Sequence, residues 1–312
     1  IQAKCDIGLR QEGSIYLASN EEEIQLLEEL KAINKANEYT SILFTKTECL
    51  KRYPGLNENY VKAGLFFPEE ITVEPRTMII SVHKYLKKKG LPIFYNTQVI
   101  ECNTIGNIIS INIADGRVFT SAKVIICNGS DFRTLYPQMF AASDLEISKL
   151  QMMQTKPQGN YRITGSVLTG LSIRRYEAFA ECASYFKITS KEALKSPEKK
   201  WGVHILFKQA MDGSVILGDS HEYADAENMD NLGFHLNMEI DNLILEKAKE
   251  IFQLPTYEID QRWFGMYSQC KNSDIFERTI DENIHIVTGI GGKGMTGSAG
   301  FAKHNINQLF NI

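Results

Sequence analysis

Apolar residues recur along the chain with two periods, one typical of helices and one typical of strands. Asn20 stands where a helix N-cap is expected, and Glu23, three residues later, completes the pattern of a capping box. One apolar face at helical spacing follows: Ile24, Leu27, Leu30 and Ile33. Residues 8–18 come before this helix and predict a strand with a turn at Glu12-Gly13. The amino-terminal part is therefore predicted to be a strand followed by an amphipathic helix.

A second helix is predicted after a segment without clear periodicity. Pro54-Gly55 interrupts residues 43–70, which we interpret as a loop. Pro75 is a favourable first helical residue, and Gly90 is a typical helix end. The predicted core face of this helix consists of Met78, Ile79, Val82, Tyr85 and Leu86.

Strand patterns dominate the middle of the chain. They cover residues 92–102, 108–114, 124–126, 147–155 and 201–223. Asp115-Gly116 and Asp212-Gly213 are expected to form hairpin turns between antiparallel strands. A helix is predicted over residues 236–252, and the chain then returns to a strand and a helix.

This order of elements predicts an α/β fold with two interleaved modules. One α/β module takes residues 71–140 and 271–312, and an antiparallel module takes residues 1–70 and 141–270. A turn of small residues follows the apolar run at 124–126, and α/β sheets bind ligands at such turns. A cleft between the two modules is the expected ligand site.

The most informative segment is a glycine-rich stretch near the carboxyl end. Residues 283–300 predict a buried strand, a loop with glycines at 289, 291, 292, 294 and 297, and a final helix. Glycines let backbone N–H groups approach a ligand closely, and the helix adds a positive N-terminal end. This combination predicts a site for an anion or an electron-rich ring. The alternative is a turn without a ligand.

Two common phosphate-binding motifs fit this loop poorly. A dinucleotide fingerprint needs a βαβ unit and an acidic residue about 20 residues further on, but the sequence stops at Ile312. A P-loop needs Ser or Thr directly after Gly-Lys, whereas Gly294 follows Lys293. The loop is therefore expected to direct the last helix at a ligand that other segments mainly hold.

Composition narrows the class of protein. The 312 residues are 43% hydrophobic and 23% charged with a net charge of −4, which indicates a soluble protein without a broad basic surface for nucleic acid. No apolar run is long enough to span a membrane. The six cysteines form no C-x-x-C pair and the six histidines are scattered. We therefore expect reduced thiols, a cytoplasmic location and no metal site.

Several segments of the chain together match a pattern known from one enzyme family. They are EGSIYLA (12–18), VEPRTMIISVHKYLKKKG (73–90), NTQV (96–99), KVIICNGSDFRTLYP (123–137), WFGMY (263–267) and IVTGIGGKGMTGSAG (286–300). The chain resembles, over its whole length, the D-amino-acid oxidase family of FAD-dependent amine oxidoreductases, which includes glycine oxidase and sarcosine oxidase. A narrower resemblance, to a bacterial clade linked to phosphonate use, rests on KLQMMQT (149–155), GLSIRRY (170–176), WGVHIL (201–206) and GDSHEY (218–223).

The resemblance implies a fold with one domain for the cofactor and one for the substrate. It implies a Rossmann-like FAD/NAD(P)-binding domain over 71–140 and 271–312, interleaved with an antiparallel-sheet α+β substrate domain over 1–70 and 141–270. Members of the family open with a strand and a G-x-G-x-x-G motif for the ADP pyrophosphate. This sequence has neither, and we interpret it as starting after that segment.

The resemblance also implies FAD as cofactor and oxidation of a carbon–nitrogen bond in a small amine. Hydride passes from the carbon next to nitrogen to flavin N5, and water hydrolyses the imine. Oxygen or another acceptor then takes the electrons. The backbone N–H groups of Gly294, Met295 and Thr296 are expected to stabilise the negative charge of reduced flavin.

Further residues are assigned to the cofactor through the same resemblance. Val99 is expected near the adenine and Gly129 near the cofactor. Lys293 is the candidate catalytic residue, since a cation beside flavin assists its reaction with oxygen. The remaining loop positions assigned to the cofactor are Gly289, Gly291 and Gly292.

The substrate is expected to be a small anionic amine, in the narrower clade an aminophosphonate such as an N-methyl or hydroxy form of 2-aminoethylphosphonate. Amino-acid-oxidising relatives carry Arg two residues after the Gly of W-x-G, whereas Gly265 is followed here by Met266 and Tyr267. If Arg174 and Arg175 lie on a strand, only one of them enters the cleft. The candidate substrate contacts are Arg174, Arg175, Tyr176, His204, His221, Tyr223 and Tyr267.

Two other hypotheses stay open at this point. One is a truncated relative that keeps the fold without binding flavin. The other is a non-flavin α/β enzyme that uses the glycine loop for a phosphate. The sequence does not distinguish an oxidase from a dehydrogenase, and it does not indicate the oligomeric state.

Overall fold

The computed structural model describes residues 2–192 and 196–312. Within these ranges the strands are β1 Ser14–Ala18, β2 Ile42–Thr45, β3 Ala63–Phe67, β4 Val99–Ile105, β5 Ile108–Ile113, β6 Val118–Ser121, β7 Val124–Ile126, β8 Leu145–Thr155, β9 Ser166–Leu168, β10 Leu206–Gln209, β11 Val215–Gly218, β12 Glu222–Asp225, β13 Ile259–Cys270, β14 Phe276–Ile280 and β15 Ile284–Thr288. The α-helices are α1 Glu21–Ala36, α2 Lys46–Arg52, α3 Pro75–Lys88, α4 Pro137–Ala141, α5 Gly170–Ile173, α6 Glu177–Ala180, α7 Tyr185–Thr189, α8 Pro197–Lys200, α9 Met238–Ile251 and α10 Gly294–Phe310. Short 3₁₀ segments lie at Ala226–Leu232 and Gly291–Lys293.

Two compact units divide the chain. The first holds the residues up to Ile93 together with Leu150–His221 and Leu236–Phe264, and the second holds Phe94–Lys149, Glu222–His235 and Gly265–Ile312. The predicted modules divide the chain at other places, because they assign α3 to the α/β module and residues 141–149 to the antiparallel module. The assignment of FAD to one domain and substrate to the other stays a prediction.

The first unit is built on one sheet in the order β8-β11-β10-β9-β1-β3-β2. All of its neighbouring strands pair antiparallel except β1 and β9, which run parallel. Alternate residues of its strands enter the core, among them Ile15, Leu17, Phe207 and Leu217, which are fully buried. Helix α9 adds the buried side chains of Ile240, Ile244 and Ala248 to the same core.

Helix α1 begins as the sequence predicts. The Asn20 side chain accepts a hydrogen bond from the Glu23 backbone N–H at 3.0 Å. The Glu23 carboxylate reaches Ser19 instead of Asn20, accepting from the Ser19 N–H at 2.7 Å and its hydroxyl at 2.9 Å. Leu27 and Leu30 of the predicted stripe are buried. The helix is thus fixed by a shifted capping box and by apolar packing.

The loop predicted over residues 43–70 is wrong. This stretch contains α2 between strands β2 and β3, and Pro54-Gly55 lies in the turn that follows α2. Thr45 and Glu48 form a complete capping box at the start of α2. This local signal for a helix start is present in the sequence, but the loop prediction rested on Pro54-Gly55 instead.

Helix α3 has the predicted extent but lacks the predicted buried face. It starts at Pro75, and Gly90 follows its end with φ +93°. None of its residues is buried, and Ile79 is 51% exposed. The apolar spacing therefore identified the helix correctly without identifying a core position.

Gly13 and Gly165 allow two main chains of the first unit to meet without side chains between them. A Cβ atom on Gly165 would lie 2.1 Å from the carbonyl oxygen of Gly13, and one on Gly13 would lie 2.5 Å from the Phe66 ring. Both have a positive φ, +77° at Gly13 and +72° at Gly165. Glycine is required at both positions by space as well as by backbone conformation.

The second unit contains two three-stranded sheets. One has the order β14-β15-β7, with β15 and β7 parallel, and the other is the meander β4-β5-β6. Gly116, with φ +88°, lies in the turn between β5 and β6, as predicted. The strand predicted over 92–102 begins only at Val99. Among the described residues, no helix has the length and apolar character needed to cross a membrane.

Candidate functional site

The glycine loop of the second unit connects β15 to α10 through a single 3₁₀ turn. Gly289 and Gly291 have positive φ angles of +75° and +67°. A Cβ atom on Gly289 would lie 2.6 Å from Leu145 Cδ2, so packing alone excludes any side chain there. A Cβ atom on Gly292 would meet its nearest neighbour, the Tyr267 hydroxyl, only at 3.6 Å. The loop is therefore tight on its inner side and open at Gly292.

The N-terminus of α10 lacks the usual capping groups. Lys293 occupies the N-cap position, no side chain accepts from the first backbone N–H groups, and the first turn has no acidic residue. Met295 and Thr296 are exposed, and Gly294 is half-buried. The Gly294 N–H donates to the Gly291 carbonyl of the preceding 3₁₀ turn, so this helix end offers its positive partial charge and its remaining N–H donors to an outside acceptor.

Gly129 lies beside this loop and is held by two hydroxyl groups. Its carbonyl accepts hydrogen bonds from Ser268 Oγ at 2.9 Å and from Thr288 Oγ1 at 2.6 Å. Ser268 Oγ in turn accepts from the Gly289 N–H at 3.1 Å. The ends of β7, β13 and β15 are thereby connected, while a Cβ atom on Gly129 would meet nothing within 4 Å. Gly129 has φ +59° and presents open backbone at a rigid position.

Lys293 and Val99, the other candidates in this unit, have different surroundings. Lys293 Nζ lies 2.6 Å from Asp274 Oδ1, and the side chain of Lys293 is 47% exposed. This hydrogen bond holds the pKa of Asp274 below its usual value. Val99 is half-buried, pairs with Ile113 in β4 and β5, and packs against the core of the unit.

Arg174, in the first unit, is committed to an ion-pair cluster. Its guanidinium contacts Glu23 at 3.0 Å, and Glu22 and Glu192 at 3.2 Å each. The side chain of Arg174 is 17% exposed and that of Glu23 only 4%. Three carboxylates leave this guanidinium little capacity for a substrate anion.

The expectation that Arg174 and Arg175 lie on a strand is wrong, because both follow the short helix α5. Arg175 Nη1 donates to the Gly202 carbonyl at 3.3 Å and lines a cavity of about 450 Å³. Tyr185, Lys199 and Glu198 also line this cavity. Glu192 lines the same cavity, and the charge of Arg175 acts on Asp219.

His204 and His221 come together at the ends of β10 and β11, although they are distant in sequence. Their rings stack with centroids 5.4 Å apart, and Tyr176 meets the His204 ring edge-on at 5.2 Å. Asp219 lies between them, with Oδ1 2.6 Å from His204 Nε2 and 3.3 Å from His221 Nδ1. The sequence analysis missed Asp219, although it belongs to the GDSHEY segment that contains His221.

The charges in this group follow from its burial. Burial opposes ionisation of Asp219, but His204 and His221 together hold its pKa below the usual value. Burial lowers the pKa of His221 to about 4, and Arg175 acts in the same direction against Asp219. At neutral pH the group therefore contains an aspartate anion and a neutral His221.

Comparisons with known proteins agree on one family. Residues 1–306 match the family model described as DAO, FAD dependent oxidoreductase. The glycine oxidase of Geobacillus kaustophilus superposes with a TM-score of 0.76 at 14% identity, covering 99% of this chain and 74% of that chain. The glycine oxidase of Bacillus cereus has a TM-score of 0.74 at 16% identity, covering 99% and 75%.

A third similar structure contains the cofactor. The L-α-glycerophosphate oxidase of Mycoplasma pneumoniae, described with FAD bound, has a TM-score of 0.74 at 17% identity, covering 98% of this chain and 74% of that chain. Among curated protein sequences, none matches significantly. The structural matches confirm the predicted fold class, an α/β fold like that of glycine oxidase.

Proposed function

Because the chain belongs to the DAO family of FAD-dependent oxidoreductases, we propose that it oxidises a carbon–nitrogen bond of a small anionic amine. FAD is its cofactor, as the family model describes. Two of the similar structures are glycine oxidases, whose names support a C–N donor over an alcohol. The observation that carries the proposal is the glycine loop beside the uncapped N-terminus of α10.

The residues present fit a flavin at this loop. Gly129 and Gly292 leave open space where any other residue would place a side chain, so a flat ring can approach the backbone. The first N–H groups of α10 have no side-chain acceptor. An electron-rich ring edge satisfies such donors, whereas an apolar ligand would leave them unpaired.

Each loop residue then has a defined role. The bound FAD supplies the acceptor for the hydride of the substrate. Backbone N–H groups of Met295 and Thr296 would donate toward the ring edge that becomes negative on reduction, whereas the N–H of Gly294, also a predicted contact, donates to the Gly291 carbonyl. Lys293, paired with Asp274, adds a positive charge next to these donors. Val99, at the start of β4, remains the proposed contact for the adenine.

We assign the substrate anion to Arg175. A planar guanidinium binds phosphonate or carboxylate oxygens in pairs, and Arg175 faces a cavity that also contains Lys199. Tyr267 stands where amino-acid-oxidising relatives have an arginine, which favours another anchor. The substrate class we propose is an aminophosphonate, such as N-methyl or hydroxy 2-aminoethylphosphonate. Tyr176, His221 and Tyr267 remain predicted substrate contacts.

Anaerobic titration of the FAD-loaded protein tests this function. We expect 2-aminoethylphosphonate or its N-methyl form to bleach the flavin absorbance, because amine oxidation reduces the cofactor. Bleaching by glycine or sarcosine alone would overturn the phosphonate assignment. A protein that retains no flavin after purification would instead support the non-catalytic relative. Air admitted after bleaching distinguishes an oxidase, whose colour returns quickly, from a dehydrogenase.

Two arginine variants test the anchor. Arg175→Ala should raise the KM for the bleaching substrate by about tenfold or more, because one charge-assisted contact contributes roughly 1.5–3 kcal/mol. Arg162→Ala is the matched control, since Arg162 pairs with Glu12 and its side chain is 70% exposed. An unchanged KM in Arg175→Ala would exclude Arg175 as the anion anchor.

A further inference from the structure

A second chemical centre lies in the first unit, within a group of three side chains. His204 stands just before β10, and Asp219 and His221 follow β11. The backbone joins these two ends directly, since the His204 N–H donates to the Asp219 carbonyl at 3.0 Å. One ligand atom from each side chain lies within 4.8 Å of the other two. The imidazoles and the carboxylate therefore converge on one point.

The closest contact in this group is the ion-pair contact between His204 and Asp219. His204 Nε2 and Asp219 Oδ1 approach to 2.6 Å, yet both are buried atoms without an aligned hydrogen-bond partner among the described residues. His204 Nδ1 lies 3.2 Å from Ser172 Oγ. When Nδ1 carries the proton and donates it to Ser172, Nε2 presents a lone pair to the aspartate oxygen. In that tautomer, a cation bound between these two atoms would stabilise the contact.

We propose that His204 Nε2, Asp219 Oδ1 and His221 Nδ1 bind a divalent transition-metal ion, with zinc as the best match. Two imidazole nitrogens and one carboxylate oxygen form a common protein donor set for zinc. The hydroxyl of Ser172 contacts His204 Nδ1 from the far side of the ring, as the outer partners of metal ligands do. The inference is independent of the proposed oxidase function.

The distances need only a small adjustment to accept the ion. Zinc–nitrogen and zinc–oxygen bonds of about 2.0–2.1 Å place two tetrahedral ligands roughly 3.3 Å apart. His221 Nδ1 and Asp219 Oδ1 already lie 3.3 Å apart. His204 Nε2 and Asp219 Oδ1 must separate from 2.6 Å by a fraction of an ångström. A water molecule completes the coordination.

The charge around the site also fits a divalent ion that is buried. Asp219 supplies one negative charge, and Arg175 is the cation whose field reaches both Asp219 and His221. Arg175 opposes cation binding, and the negative charge of Asp219 offsets it. The side chains of His204, His221 and Asp219 are 1%, 8% and 13% exposed, so the ion would be shielded from bulk solvent. Such an ion would make His221 a metal ligand instead of a substrate contact.

Metal analysis of the purified full protein tests the proposal. After treatment with a chelator and dialysis against zinc sulfate, we expect about one zinc ion per chain by mass spectrometry. The thermal midpoint should rise by about 5 °C at saturating zinc. His221→Ala and Asp219→Asn should lose both effects. His235→Ala, a substitution of an exposed histidine, should retain them.

Cobalt provides a measurement that needs no variant. Bound Co²⁺ with four ligands gives intense visible bands, so the wild-type protein should turn blue on stoichiometric addition. This spectrum decides the question even if His221→Ala and Asp219→Asn fail to fold. A pale, solvent-like cobalt spectrum together with zinc content near zero would overturn the proposal. Equal zinc content in wild-type protein and a folded His221→Ala variant would overturn it as well.

Discussion

The N-termini of α1 and α10 differ in how their first backbone N–H groups are capped. Each helix leaves its first backbone N–H groups without intrahelical partners. In α1 the Asn20 side chain accepts one of them, and three glutamates occupy the first turn. In α10 no side chain caps the helix and no acidic residue is present. The first end is capped by a side chain, whereas the second has no side-chain cap and its Gly294 N–H donates to the Gly291 carbonyl of the preceding turn.

The residues around the start of α1 are packed against the protein, whereas those around the start of α10 are mostly exposed. Glu23 is buried and contacts Arg174, which fixes α1 within the first unit. The residues around the start of α10 are mostly exposed, and Gly292 leaves room for another group. A helix end without side-chain caps, beside glycines that leave space, is the feature on which the proposed cofactor site rests. Substitutions at the start of α1 should therefore change the free energy of unfolding, and substitutions at the start of α10 should change the affinity for FAD.

The largest expected effect is on stability, at α1. Arg174→Ala removes a counterion of the buried Glu23 carboxylate and should lower the free energy of unfolding by about 3 kcal/mol. Urea denaturation measures the change. Arg162→Ala, which breaks an exposed pair, should lower it by less than about 1 kcal/mol. Equal losses in the two variants would show that the α1 cluster is no stronger than an ordinary surface pair.

The next effect is on cofactor binding, at α10. Gly292→Leu should raise the Kd for FAD by about tenfold or more, because a side chain fills the open space at the loop. The fold should tolerate the change, since a Cβ atom there meets only the Tyr267 hydroxyl at 3.6 Å. Flavin fluorescence titration measures the affinity. A wild-type Kd in this variant would place the cofactor away from the loop.

Removing the cap of α1 should have a smaller effect. Asn20→Ala should reduce the free energy of unfolding by about 1 kcal/mol, because the Glu23 N–H loses its side-chain acceptor. Asn20→Ser retains a capping oxygen and should differ little from the wild type. The Kd for FAD should stay constant in both variants. A change in flavin affinity would contradict the separation of the two helix ends.

The smallest effect is a gain in stability within α10. Gly300 lies inside this helix and a Cβ atom there would meet nothing within 4 Å. Gly300→Ala should therefore increase the free energy of unfolding by roughly 0.5–1 kcal/mol. Thermal denaturation checks the gain, and flavin titration should give the wild-type Kd. Weaker flavin binding would mean that the site extends into the second helical turn.

Much of the fold was predictable because its signals are local. Asn20 and Pro75 mark helix starts, and the turn containing Gly116 follows from two residues of sequence. The family was also predictable, and the match over residues 1–306 confirms it. The loop prediction for residues 43–70 is wrong because it rests on Pro54-Gly55 and not on the capping box that begins α2. The exposed face of α3 shows that periodicity identifies a helix without identifying what packs against it.

The same difference between local and long-range signals applies to the functional residues. The glycine loop is contiguous in sequence, so its backbone character could be predicted from Gly289 to Gly294. The surroundings of Arg174 could not, because two of its partners, Glu22 and Glu23, lie about 150 positions earlier in the chain. The histidines gave no metal-ligand spacing, and only the pairing of β10 with β11 brings His204 to Asp219. Long-range pairing is the information that a sequence pattern lacks.

The contact between Gly13 and Gly165 has a consequence for mutational tolerance. A side chain on Gly165 would push β9 away from β1, and a side chain on Gly13 would collide with Phe66 in β3, so either displacement would spread across the sheet. In a saturation screen these two glycines should rank among the least replaceable positions, although neither is assigned to a ligand. Strict invariance there, if found among homologues, would report on the crossing of two backbones and should not be taken as a mark of catalysis.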